Sequence, residues 1–265
     1  MSNAWCDVGP EGHLYGPVSV TANTPWPCKN GYPTGFQSPA RGLVIHTEDG
    51  YEQGTISWFN NPDAEASATF AVDSNGAVWQ FGPVGHGWCS WAQSAGNATW
   101  YSVEDADGTH PSVPFTAAQV HSLALIAEAL SWHDGFPLVA CTDPLAAGTK
   151  GITLHSEGGV PFGDHPECPG PVRGAQRIDI LAAAKTIRSQ REAPIVTITS
   201  WKSDGSISLA ELAERRKTAV SSILRVTGGH GLFDAPTAKY IDDVFAGAIP
   251  PSTPVPAGSV LWVPA

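Results

Sequence analysis

Two histidines each follow a short apolar run. "GLVIHT" places His46 after Leu43, Val44 and Ile45, and "GITLHSE" places His155 after Ile152, Thr153 and Leu154. Cys168 follows in "HPECPGP". Taken singly, each histidine reads more readily as a satisfied structural residue than as a metal ligand. Taken with Cys168, two imidazoles and a thiolate supply three donors of a tetrahedral set and leave one position open, the arrangement of a catalytic rather than a structural zinc. Zinc in such a site acidifies its water to a pKa of about 7. The separation of 109 residues (155 minus 46) is uninformative in itself, so local context must carry the assignment. Asp164 and His165 compete for the third donor position, but a thiolate is the softer ligand and suits zinc better.

Such residues are useful only if strands deliver them to one edge of a sheet, where α/β folds usually keep their ligand sites. "RGLVIHT" and "GITLH" read as buried strands. "SATFAVDSNGAVWQFG" reads as a hairpin with a type I′ turn at Asn75-Gly76. "FTAAQVHSLALIAEALSWH" is the clearest helix: Thr116 and Gln119 form a capping box, and Val120, Leu123, Ala124, Ala127 and Leu130 form its apolar stripe. "GAQRIDILAAAKTIRSQR" is a second helix, with Lys185, Arg188 and Arg191 toward its C-terminal end. Alternating strands and helices predict an α/β fold, a mixed central sheet flanked by helices. Residues 1–193 form this domain, with 1–40 as an irregular lead-in. Residues 194–265 form a small α+β module reading strand, turn, helix, short helix and, after a Pro-rich link, a closing strand.

The chain of 265 residues has 15% charged residues and a net charge of -11. That balance excludes a phosphate-tracking nucleic-acid binder and disfavours anionic lipid as a partner. The most apolar stretch, "SLALIAEALSW", is too short to span a bilayer and contains Glu128, so no membrane insertion is expected. The N-terminus lacks the basic start and apolar core of a signal peptide, which predicts synthesis in the cytoplasm without a leader. None of the five cysteines forms a C-x-x-C pair; a Cys6–Cys28 bridge and reduced buried thiols remain alternatives.

In chain order, "GLVIHT", "WFNNPDAEASATFAVDSNGAVWQF", "FTAAQVHSLALIAEAL", "GITLHSE" and "ECPGP" resemble the zinc-dependent N-acetylmuramoyl-L-alanine amidases, the amidase-2 and peptidoglycan-recognition family, over roughly residues 40–190. The resemblance implies Zn2+ held by His46, His155 and Cys168, with "CPG" the family's form of the third ligand. "NATWYSVE" matches the family's "N-x-x-S-I-G-I-E" at both ends, which implies that Glu104 is the general base and acid. The alternative is a solvent-facing acid in the "EDAD" run. His86 in "VGHGW" matches a cleft-lining, substrate-binding histidine. The chain departs from the pattern at Ala68, where some relatives have Tyr, and at Pro166, where others have Lys. His165, one residue before Pro166, is expected to stabilise the oxyanion instead.

The tail, "TSWKSDGSISLAELAERRKTAVSSILRVT" with "PAGSVLWVP", resembles an interrupted LysM wall-binding module, although "SDGSI" departs from the usual "GDSL". The implied function is hydrolysis of the amide between N-acetylmuramic acid and L-alanine in bacterial peptidoglycan. The type is that of a bacteriophage endolysin acting on the wall and released from the host cytoplasm by a holin-type partner. Two alternatives stand beside it. One is a peptidoglycan-binding protein that does not cut, disfavoured because such members lose the cysteine. The other is a Cys–His peptidase, disfavoured because Pro169 directly follows Cys168 and the two strand-end histidines would go unexplained.

Overall fold

A computed structural model describes residues 5–85, 87–110, 112–192, 198–202 and 260–264. The chain divides into two compact units, residues 3–192 and residues 193–265 together with 1–2.

The larger unit is built on a six-stranded sheet. Its strands are β1 (Val20–Ala22), β2 (Gly42–Ile45), β3 (Phe70–Val72), β4 (Val78–Gln80), β5 (Trp100–Asp105) and β6 (Gly151–Leu154). Their order across the sheet is β6-β2-β5-β3-β4-β1. The first four run parallel, β4 returns antiparallel to β3, and β1 lies parallel to β4. The helices are α1 (Glu52–Asn60), α2 (Ala117–Asp134), the short α3 (Pro171–Ala175) and α4 (Arg177–Glu192). This is the mixed α/β architecture that the sequence predicts.

Side chains alternate across a strand, so the sheet has two unlike faces. Leu43, Ile45, Tyr101, Val103 and Ile152 join Leu123, Ile126 and Leu130 of α2 and Ile180, Ala184 and Ile187 of α4 in the main core. The intervening residues, Val44 and Trp100 among them, face the other way and pack with Cys141 and Phe162. There, β2 and β6 approach so closely that a Cβ on Gly42 would lie 1.8 Å from the Gly151 carbonyl oxygen. Any larger residue would force these two strands apart.

The capping box of α2 forms as read: Thr116 accepts from the Gln119 backbone N–H while the Gln119 side chain accepts from the Thr116 N–H. The helix is buried well beyond one stripe, because α4 and the N-terminal segment also cover it. Glu128, 0 % exposed, sits in that second contact. It accepts from Arg188 Nε at 2.8 Å and Arg191 Nη2 at 2.9 Å. Arg191 also pairs with Asp7 at 2.9 Å, and both guanidinium groups lie over Trp132. Removing one partner of such a network strands the other charges out of water, so Glu128→Ala should destabilise the unit by about 3–5 kcal/mol. Urea unfolding of the variant checks this; a midpoint unchanged from wild type would refute the assignment.

Three expectations are corrected. The lead-in is not wholly irregular: β1 extends the sheet, and Gly31–Tyr32 pairs with Cys89–Ser90. The hairpin turn is not type I′, because Gly76 alone of the Asn75-Gly76 pair has a positive φ, 87°. The Asp73 carboxylate accepts from the Asn75 N–H at 2.6 Å, and the Gly76 N–H bonds back to the Asp73 carbonyl. The turn therefore centres on Ser74-Asn75, with Gly76 supplying the left-handed residue after it. The second predicted helix is broken near Gln176 into α3 and α4. All five cysteines are free thiols: Cys6 packs in the main core and Cys28 in a separate cluster with Phe59, Phe81 and Trp88, so the two do not bridge.

In the smaller unit, Ile198–Lys202 and Val260–Pro264 pair antiparallel. The helices expected between them lie outside the described residues.

Candidate functional site

The site follows from strand register. β6 and β2 are parallel with Leu154 opposite Ile45, and β2 and β5 are parallel with Ile45 opposite Val103. The next residue of each strand is His155, His46 or Glu104, so all three reach the same level and emerge on the face away from α2 and α4. The His46 and His155 ring centroids are 4.2 Å apart, and Glu104 Oε1 lies 3.7 Å from His46 Nδ1.

Cys168 arrives from the loop before α3. Its Sγ accepts the Thr47 N–H at 3.3 Å and its carbonyl accepts the Ser156 N–H at 2.9 Å, which ties the loop to the residue after each histidine. The buried Arg173 braces the same corner, donating to Thr47 Oγ1 and to the carbonyls of Asp105, Ala106 and Val113. Glu157 holds the turn that carries His155: it accepts from the Leu154 N–H, Thr153 Oγ1 and Arg177.

One donor atom from each of His46, His155 and Cys168 lies within 4.8 Å of the others. Among the described residues this is the one group of three or more such side chains close enough to share an ion. Burial chiefly, then the neighbouring His155, holds the His46 pKa well below 6.5. Burial likewise lowers His155 to about 4. Both rings therefore keep a lone pair free at neutral pH. The His155 Nε2 is 2.8 Å from the Phe162 carbonyl, to which it must donate, so Nδ1 is the free atom. Burial, then Glu104, pushes the Cys168 thiol up, so ionising it calls for a cation beside it. Two neutral imidazoles, a thiol that needs a counter-charge and an open side fit a zinc ion.

That open side faces a cleft of about 830 Å³, lined by His46, His155, Cys168, Glu104, His165 and the aromatic pair Tyr32 and Trp91. Glu104, its side chain 17 % exposed, also borders a second cavity of about 440 Å³ beside Tyr51 and Trp58. Burial lifts its carboxyl to about 8. His165 stacks on His155 with centroids 4.6 Å apart and stands exposed at the rim. Asp164, exposed in a left-handed conformation, is not in the donor group. Ala68 is buried beside Phe59, away from solvent. His86 lies outside the described residues. The structure thus gathers five of the six predicted site residues around one cleft. Sequence reasoning missed Thr47 and Arg173, which act through long-range contacts without a local signature, and Glu157, whose bonds to Thr153 and Leu154 are local and whose place in "GITLHSE" is the available signal.

The sequence profile of the Amidase_2 family, described as N-acetylmuramoyl-L-alanine amidase, matches residues 36–171, just over half of the chain. No curated protein matches. Among solved structures, the Staphylococcus aureus hydrolase AmiA, in complex with its ligand, superposes with a TM-score of 0.47 at 18% identity, over 67% of this chain and 87% of that one. The N-acetylmuramoyl-L-alanine amidase LysC from Clostridium intestinale gives 0.43 at 12% identity, over 63% and 97%. Drosophila peptidoglycan recognition protein SD gives 0.45 at 14% identity, over 60% and 92%.

Proposed function

We propose, from the premise that this chain belongs to the N-acetylmuramoyl-L-alanine amidase family, that it cleaves peptidoglycan between the lactyl group of N-acetylmuramic acid and L-alanine with zinc held by His46, His155 and Cys168. The observation that carries the reading is the convergence of three zinc-type donors and one carboxylate on a single cleft. The chemistry a zinc ion supplies when bound is Lewis acidity, which polarises an amide carbonyl and acidifies water.

The protein's own groups do the rest. Glu104 borders the open side of the trio without belonging to it, so its carboxylate is free to accept the proton of the attacking water and return it to the leaving amide nitrogen. Its burial matters here: with its titration raised toward neutrality, the carboxylate takes up the water's proton more readily than an ordinary one and still holds it when the amide nitrogen leaves. His165, stacked on His155 at the rim, is placed to donate a hydrogen bond to the carbonyl oxygen as charge builds on it. Tyr32 and Trp91, in edge contact at 5.4 Å, give the cleft an aromatic wall for the substrate. The wider reading is of an endolysin-type enzyme, delivered to the wall by a holin-type partner, with residues 194–265 as a LysM-like wall-binding module.

Product analysis tests the reaction. Digestion of purified walls should release new L-alanine amino termini without new reducing sugar ends, and 1,10-phenanthroline should stop it until zinc is restored. Reducing ends would mark a glycosidase instead, and digestion untouched by the chelator would mark Cys168 as a nucleophile.

A further inference from the structure

His155 has its outward nitrogen pinned by the Phe162 carbonyl, whereas His46 has no such backbone partner. Its Nε2 is buried and lacks a hydrogen bond, and the same is true of Gln93 Oε1. A buried polar atom without a partner is rare and calls for an explanation. Here the two account for each other: no hydrogen bond is formed between them in this geometry, but Gln93 is the side chain near enough to influence the His46 ring, and it does so as an acceptor.

The orientation of the amide is fixed independently. Gln93 is 0 % exposed, and its Nε2 donates to the Trp100 carbonyl at 3.0 Å, which leaves Oε1 as the end free to accept. Its backbone is held as well: Asn97 Oδ1 accepts the Gln93 N–H at 2.8 Å, and the Gln93 carbonyl accepts the Gly96 N–H at 2.8 Å. Gly96 makes the space, since a Cβ there would fall 2.7 Å from both Gln93 Cγ and the Phe162 ring. The supports of both histidines therefore pack on one glycine.

We infer that Gln93 is a positioning residue, which takes the Nε2–H of His46 and so presents Nδ1, the atom on the Glu104 side, to the metal. A histidine ligand free to choose its tautomer or swing its ring binds less tightly than one held by an outer partner. The inference rests on the reading of His46 as a zinc ligand, and its test separates the two.

In the metal-free wild-type protein at pH 7.5, long-range 1H–15N correlation should show His46 with its proton on Nε2; a proton on Nδ1 would overturn the inference. Zinc affinity, measured by competition with 4-(2-pyridylazo)resorcinol, should fall roughly 10- to 100-fold in Gln93→Met. It should recover in Gln93→Glu, which keeps an acceptor oxygen. Equal affinity in wild type and Gln93→Met also overturns it. Thermal unfolding of each metal-free variant separates lost affinity from lost fold, and the tautomer measurement needs no variant. A wild-type protein that takes up no zinc refutes the ligand assignment instead, while the tautomer still decides the role of Gln93.

Discussion

Replacing Glu104 by glutamine should leave zinc bound at wild-type stoichiometry and lower kcat roughly 100- to 10,000-fold, the usual contribution of a positioned acid–base group. The change keeps the shape of the side chain and its place at the end of β5, and it takes nothing from the donor trio. What it removes is the capacity to hold a proton. Metal analysis and turnover of a muramyl peptide, measured on the same preparation, check both halves. Near-normal rates would return Glu104 to the status of one more acid in the "EDAD" run. The sign of the pH dependence follows from the same role. Only the ionised carboxylate can accept a proton, so kcat/KM should rise with pH through its titration. Burial alone puts that titration at about 8; a cation in the adjacent trio favours the charged form and draws it lower. In Glu104→Gln this acidic limb should disappear.

The legibility of this site has a physical origin. His46 and His155 can be picked out because each interrupts a β-branched run, and a polar group at a strand end signals a place where the sheet meets solvent or a ligand. Parallel pairing then does what spacing along the chain cannot: it sets residues 109 apart at one level (155 minus 46). Glu104 is less visible, since "YSVED" alternates like any strand, and its level is fixed only by the pairing of β5 with β2.

Other features are hidden because they depend on what packs where. Glu128 reads in the sequence as a charge that disqualifies an apolar segment from spanning a membrane. In the fold it is the buried anchor of two arginines from α4, a partner that no local window contains. The breadth of burial on α2 is concealed for the same reason. Its stripe marks the face toward the sheet, but the cover supplied by α4 comes from a helix some 40 residues on. Gln93 lies in a loop of small and polar residues, and its place beside His46 becomes visible only when the Trp100 carbonyl and Gly96 are in position around it.

Cys168 should give the largest effect, and the choice of replacement decides what it does. Cys168→Ala removes one of three donors, so zinc should be lost at micromolar concentrations and activity with it. That result alone cannot separate a ligand from a nucleophile, because both roles end when sulfur is removed. Cys168→Asp can. A carboxylate oxygen is an accepted zinc ligand, whereas it has none of the thiolate's nucleophilicity toward an amide. A ligand role therefore predicts that Cys168→Asp retains zinc and a measurable fraction of turnover, still abolished by 1,10-phenanthroline. A nucleophile role predicts no turnover in Cys168→Asp and a wild-type enzyme that tolerates the chelator. The geometry favours the first. The sulfur already accepts the Thr47 N–H, and burial drives its titration upward rather than toward a free thiolate. A cation is what that sulfur needs in order to be charged at neutral pH, and the two neutral imidazoles beside it are the groups that would share the ion.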